Sequence, residues 1–200
     1  VSNLPDKPIS AHDVARFLRA RKPGANTTQV QKWAYYGQGW HLILTGEPMF
    51  SEPIKAFAYG PVVPKLWAAE KHGWPIPPER ELKRSHELVL DLVLERLGNL
   101  TAGELRDRTH DEAPWRDIAH SDDDVSVDIT YEALIEWFER SGEAAVVRAS
   151  AFALEDADPD YTAEVERLQE TSPVGRSYSA ARLAALSDGG RSEQSSNDRR

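Results

Sequence analysis

The chain contains histidines, serines and acids, but not at the spacings that catalysis demands. His41, His72, His110 and His120 are scattered. No H-E-x-x-H pair sets two imidazoles one helical turn apart with a base between them, as zinc hydrolysis requires. Asp122-Asp123-Asp124 begins like a calcium loop, yet the glycine and distal glutamate of an EF-hand are missing, so a solvated acidic loop is expected. No G-x-S-x-G turn presents a serine nucleophile, and no glycine-rich loop follows a strand to cradle a phosphate. Cysteine is absent, which removes thiol catalysis, Cys-ligated zinc and disulfides. The expectation is a protein that is not an enzyme, with no catalytic residue, no metal and no cofactor. A hydrolase or transferase is the rival, and it would need a clustered site that the spacing does not show.

Charge narrows the partners. The formal net charge is -9, and residues 142–200 hold 11 acids against 7 bases, leaving 22 against 17 in residues 1–141. Both parts are acidic, so no basic domain hides behind an acidic tail. Nucleic-acid affinity comes largely from neutralising phosphates, so no nucleic-acid partner is expected. Arg16, Arg19, Arg21 and Lys22 lie on a first helix followed by a second, a superficial likeness to a helix-turn-helix. A DNA-binding transcription regulator therefore stays open as the alternative, although the second helix is aromatic and poor in bases. No apolar run reaches the ~18 residues of a membrane span. The start, Val1-Ser2-Asn3-Leu4-Pro5-Asp6, lacks the basic-then-apolar pattern of a signal peptide. The expected location is cytoplasmic, with no membrane partner.

The elements that must position any site read as mainly α: a compact multi-helix domain with at most one small β element, plus a disordered C-terminal tail. Residues 10–22 form a first helix capped by Ser10, with Val14, Phe17 and Leu18 as its apolar stripe and Pro23-Gly24 as its stop. A second helix starts near Thr27 or Thr28 and runs to Leu44. Val30, Trp33, Gly37, Trp40 and Leu44 form its core face. Gly37 and Gly39 each cost ~1 kcal/mol inside a helix, which close approach of another helix would explain. Residues 54–59 suggest a short strand stopped by Gly60-Pro61. Pro64 opens a third helix that carries Leu66 and Trp67 and ends at Gly73.

Prolines 75, 77 and 78 make a rigid connection to the longest helix, expected over residues 79–97 and apolar on more than one side. Thr101-Ala102-Gly103-Glu104 is a capping box, Pro114 opens a short helix through Trp115, and Thr130 caps a last one. Ile129 and Leu134 are placed as its hydrophobic staple, and Tyr131, Leu134, Ile135 and Phe138 as its buried face. Beyond Ser150 the apolar pattern dissolves. A transient helix over residues 161–169 is the most that tail offers, and its end cannot bury enough apolar surface to fold.

Three segments carry a resemblance. The first is Gln31-Lys32-Trp33-Ala34-Tyr35-Tyr36-Gly37-Gln38-Gly39-Trp40-His41-Leu42, with Thr45-Gly46-Glu47-Pro48-Met49-Phe50 after it. The second is Ile54-Lys55-Ala56-Phe57-Ala58-Tyr59-Gly60-Pro61-Val62-Val63-Pro64. The third is Leu105-Arg106-Asp107-Arg108-Thr109-His110, with Pro114-Trp115 just beyond. In this order and spacing they resemble the Panacea domain of SocA-like antitoxins and phage-associated relatives, with Gly37 standing where relatives often have Ala. The likeness covers residues 10–141, leaving a short arm over residues 1–9 and an acidic, Ala/Ser-rich, largely disordered tail over 142–200. It implies a bacterial antitoxin of a type II-like toxin–antitoxin system that neutralises a cognate protein toxin by direct binding. One such relative instead acts as an adaptor delivering its toxin to an ATP-dependent protease, so the resemblance leaves that route open for this chain. A phage-encoded accessory role is the further alternative.

Trp33, Trp40, Leu66 and Phe138 read as core, because aromatics at helical spacing bury large apolar areas. Tyr35, Tyr36, Tyr59, Trp67 and Trp74 read as either core or interface. Lys32 and Tyr36 fall on a different face from Trp33 and Trp40, which suits an amphipathic rim or a binding anchor. The partner surface expected here is Lys32, Tyr36, Tyr59 and Trp67, supported by the Gly60-Pro61 turn. Trp33, Trp40, Pro64, His110 and Trp115 are the structural motif, with His110 or Asp111 expected to satisfy backbone groups near Pro114 and a role in shaping the partner site as the alternative.

Overall fold

Asn26 starts the helix that organises the molecule. Its side chain accepts from Gln29 N at 3.0 Å while the Gln29 side chain accepts from Asn26 N at 3.2 Å, a reciprocal cap one residue before the expected threonines. This helix, α2 (Thr27–Thr45), closes at Gly46, which adopts the left-handed conformation with φ 77°. Every residue from Val30 to Thr45 is buried. A helix buried all round must lie in the middle of its fold. The computed structural model describes residues 9–118 and 127–157.

The other helices surround α2. Before it comes α1 (Ala11–Arg21), capped by Ser10 and Asp13 in a capping box. After it come α3 (Pro64–His72), α4 (Arg84–Leu97), α5 (Ala102–His110), α6 (Ala113–Arg116), α7 (Tyr131–Arg140) and α8 (Glu143–Ala157). All of them except α6 pack directly on α2. Close approach explains one of its glycines: a Cβ at Gly39 would lie 2.1 Å from Phe138 Cε2, so α7 seats its ring against bare backbone. At Gly37 the nearest obstacle, at 2.9 Å, is Leu90 Cδ2, the end of a flexible side chain.

The β element is a small antiparallel sheet in the order β2-β1-β3. Its strands are β1 (Ile54–Phe57), β2 (Gly60–Val62) and β3 (Val127–Ile129). Phe57 pairs with Gly60 across the two-residue turn Ala58-Tyr59, and Ile54 pairs with Ile129.

Two expectations about the helices need correction. The helix expected to be the longest was placed from residue 79, but α4 begins at Arg84, with Lys83 as its cap, and its 14 residues are fewer than the 19 of α2. Pro77 and Pro78 hold the residues before them out of helical geometry, and residues 73–83 adopt neither helix nor strand. The second concerns the domain end. A tail was expected from residue 142, whereas α8 packs against α2, α4 and α7 through buried Ala144, Val147 and Ala151. The folded unit therefore extends beyond residue 141, because small side chains at spacings of three and four suffice to dock a helix on an existing core. At the other end, Ile9 is buried and bridges to Phe50. The acidic loop at Asp122-Asp123-Asp124, His120 and the tail beyond residue 157 lie outside the described residues.

Candidate functional site

The turn between β1 and β2 is held from beneath at three carbonyls. Lys32 Nζ donates to Tyr59 O at 2.7 Å and to Pro61 O at 3.0 Å. Trp115 Nε1 donates to Phe57 O at 2.8 Å. The Trp115 indole is itself fixed by the His110 ring, stacked on it with centroids 3.7 Å apart and planes 2° from parallel. Gly60 has φ 96°, and a Cβ there would lie 2.5 Å from Lys32 Nζ and 2.9 Å from Thr109 Oγ1. Only glycine supplies both that backbone conformation and that space. One more staple follows: Val63 N donates to Gln31 Oε1 at 2.8 Å and Gln31 Nε2 donates back to Val63 O at 3.4 Å, fixing the start of α3.

Burial pushes the Lys32 pKa down to about 7, and Lys32 is 1% exposed. Burial, helped by the charges of Lys32 and Arg106, also holds His110 below its usual range.

Behind this clamp lies a second polar cluster. Tyr35 and Tyr36 each donate a hydroxyl hydrogen bond to the Glu112 carboxylate, both at 2.7 Å. The Arg108 guanidinium stands 4.0 Å from the same carboxylate and 5.7 Å from the Tyr36 ring centre, and it also pairs with Glu143 on α8. Burial pushes Glu112 up, opposed by the two phenol donors and Arg108. Burial and the neighbouring Glu112 hold both tyrosines well above their usual range, as un-ionised donors. The cluster joins α2, the α5–α6 corner and α8.

Above the clamp the surface opens into a groove of about 490 Å³ between the start of α2, the hairpin and α3. Phe57, Tyr59, Val62 and Trp67 form its apolar walls, and Glu70 and Lys71 stand at its edge. Tyr59 is 74% exposed and Phe57 37%. Trp67 is half-buried, with Lys71 Nζ 4.5 Å above its ring and the His72 ring edge-on at 5.3 Å. Glu70 is already paired with Arg19 at 2.6 Å.

The expected surface thus divides. Tyr59 and Trp67 share the groove, and Gly60 and Pro61 are buried supports of it. Tyr36 does not lie on a surface: it is 0% exposed, packed edge-on against Tyr35 and Phe138, with its hydroxyl committed to Glu112. Lys32 borders the groove but spends its ammonium inward, as a clamp instead of a contact. Treating α2 as amphipathic caused both errors, since a helix buried all round has no rim.

Trp33 and Trp40 are core, and Pro64 occupies the first turn of α3, as expected. His110 stacks on Trp115, and the Asp111 carbonyl accepts from Arg116 Nη1, so neither side chain caps the Pro114 turn as expected. Glu112, Arg108, Gln31 and Gln38 were missed. The available signal was the Tyr35-Tyr36 pair, because two tyrosines inside an otherwise apolar helix need an acceptor. Among the described residues no group of three or more His, Asp or Glu is placed to hold a metal ion. No described helix is long and apolar enough to cross a membrane.

The architecture is that of a mainly helical domain in which one central helix staples the loops around it. Residues 30–116 match the family model described as "Antitoxin SocA-like, Panacea domain". No curated protein and no solved structure matches the chain. The matched segment runs from within α2 to the end of α6 and contains the hairpin, its clamp, the Tyr35, Tyr36, Arg108 and Glu112 group and most of the groove lining, leaving out Thr27, Thr28 and Glu143. The helices α1, α7 and α8 and the strand β3 lie outside it.

Proposed function

We propose that this protein is an antitoxin that neutralises a protein toxin by direct contact at the hairpin groove, acting by binding and not by turnover. One observation supports this reading above the others. The three segments of the family resemblance converge on one turn: Lys32 from the first and Trp115 from the third hold the carbonyls of the second, and the side chain they present outward is Tyr59. A hydrogen-bonded scaffold under an exposed aromatic residue leaves little entropy to lose on binding. Tyr and Trp are the residue types that anchor interfaces most often. The partner is a toxin encoded beside this gene, and the site of action is the cytoplasm.

Co-expression with the product of the adjacent gene tests the reading. The wild-type chain should restore growth and co-purify with the toxin. A Tyr59→Ala/Trp67→Ala double variant should keep its helical circular dichroism and lose ~30-fold or more in toxin affinity, corresponding to ~2 kcal/mol. Full neutralisation by that folded variant would place the contact elsewhere. Toxin levels distinguish the route: they persist under direct inhibition and fall if the chain delivers the toxin to an ATP-dependent protease.

A further inference from the structure

The groove over the hairpin carries a sign of charge as well as apolar walls. Two charged side chains line it from α3, Glu70 and Lys71. The Glu70 carboxylate is paired with Arg19 at 2.6 Å, so its charge is spent within the chain. Lys71 is exposed and meets no carboxylate among the described residues; its ammonium faces the Trp67 ring, 4.5 Å from the ring centre. A cation–π contact holds an ammonium in place without cancelling its charge, as a salt bridge does.

The α2 side of the groove adds to the same sign. Thr27 and Thr28, the first two residues of α2, line it there. The Asn26 cap satisfies Gln29 N, so the two N–H groups ahead of it have no acceptor within the helix. No acid stands in the first turn of α2 to offset the positive end of its dipole. Lys32 contributes nothing outward, because its ammonium is turned to the Tyr59 and Pro61 carbonyls. In a chain of net charge -9, this groove therefore presents uncancelled positive charge beside three aromatic rings.

The two features select one kind of occupant. Phe57, Tyr59 and Trp67 favour an aromatic side chain, which packs offset or edge-on against them. A basic neighbour of that side chain would repel Lys71, whereas an acidic one pairs with it. We propose, resting on the antitoxin reading, that the groove takes a segment of the partner protein in which an aromatic side chain adjoins an Asp or Glu. The ring lies among Phe57, Tyr59 and Trp67, and the carboxylate pairs with Lys71. The rings supply most of the affinity, and the charge decides which segment is accepted.

Three acetylated and amidated tripeptides test the chemistry of the groove without the toxin: Glu-Trp-Glu, Gln-Trp-Gln and Lys-Trp-Lys. They are titrated into the isotope-labelled full chain, and the Trp67 indole N–H resonance reports binding. Glu-Trp-Glu should bind about threefold tighter than Gln-Trp-Gln, and Lys-Trp-Lys weakest. Lys71→Met should abolish that order and Lys71→Glu reverse it, both with unchanged circular dichroism. Equal binding of the three peptides, binding of none, or an order that survives Lys71→Glu overturns the proposal. Affinity for the co-expressed toxin separates this inference from the reading beneath it. Lys71→Glu should lose about tenfold. Wild-type toxin affinity in Lys71→Glu, with affinity lost in Tyr59→Ala/Trp67→Ala, overturns the inference and leaves the reading standing. Full neutralisation by the folded double variant instead overturns the reading of the groove as the toxin contact.

Discussion

Lys32 Nζ and the Tyr59 carbonyl are 2.7 Å apart, yet Lys32 is 1% exposed and Tyr59 74%. They belong to two regions with opposite habits. Below the hairpin, Lys32, Tyr35, Tyr36, Gln31, Gln38 and Glu112 are polar side chains spent entirely on the chain's own groups. Gln38 alone holds Phe50 twice, donating to its carbonyl at 3.0 Å and accepting from its N–H at 3.1 Å. Above the hairpin, Phe57, Tyr59 and Trp67 are large apolar side chains left wholly or partly in water, as are Trp74 and Ile76 in the connection after α3. Polar residues inside and apolar residues outside invert the usual arrangement. The inversion teaches that the inner groups fix a shape, while the outer ones carry what that shape offers.

The sharpest way to break this comparison is to strike one member of each region. Glu112→Leu leaves the Tyr35 and Tyr36 hydroxyls without their acceptor and should cost about 3 kcal/mol or more. Tyr59→Ala should stay within about 0.5 kcal/mol of wild type, as an exposed position does. Urea melts of both variants measure the gap, and equal losses would erase the distinction between the regions. A second contrast lies within α2. Gly39→Ala forces a methyl into the Phe138 ring and should cost about 1–3 kcal/mol, whereas Gly37→Ala meets a movable Leu90 methyl and gains helix propensity, leaving stability within about 1 kcal/mol. Thermal melts of the two variants should rank them in that order.

Titration sharpens the comparison further. Lys32 titrates near 7 when folded and near 10.5 when unfolded. Between those values the unfolded chain holds the extra proton, so stability should rise with pH, by up to about 1.4 kcal/mol per unit. Above pH 10 the trend should reverse, because Tyr35 and Tyr36 ionise in the unfolded chain and resist ionisation when folded. Lys32→Met should flatten the rise between pH 7 and 10, and an unaltered slope would mean that another group produces it.

A matching effect at the acid end belongs to His86, buried on α4 beside the His41 ring, with centroids 5.0 Å apart. Burial and the neighbouring His41 and Lys83 lower its pKa from 6.5 to about 3. The unfolded chain therefore takes up a proton first as pH falls below 6.5, and the stability that neutral His86 contributes should be lost progressively toward pH 3. His86→Gln should melt less steeply with acid than wild type.

What could be read from the sequence was what neighbours in the chain decide. Ser10 with Asp13, Thr101 with Glu104, and Thr130 before Tyr131 each begin a helix where expected, because a cap and its target lie within one turn. Trp33, Trp40 and Phe138 were legible as core from spacing. The fate of α2's polar residues was not, since Lys32 finds its carbonyls 27 and 29 residues away and Tyr35 its carboxylate 77 residues away. No window along the chain contains both partners. Tyr36 was therefore assigned to the surface when distant partners had buried it. The helix α8 escaped for a different reason: Ala144, Val147 and Ala151 have helical spacing but too little apolar bulk to signal burial by themselves.

The long reach of those partners also governs how the protein is born. On a ribosome adding roughly 5–20 residues per second, α2 leaves the exit site several seconds before Glu112 is polymerised, and Phe138 comes later still. Throughout that interval the most aromatic helix of the chain has neither its acceptor nor its packing partner. The nascent segment must either wait unstructured or be shielded until those partners have been made. Anything that slows translation between codons 45 and 140 lengthens the time this helix spends as a target for proteases and chaperones. Pulse-chase protection of the nascent chain should therefore appear abruptly once α7 has emerged, with no stable shorter fragment before it.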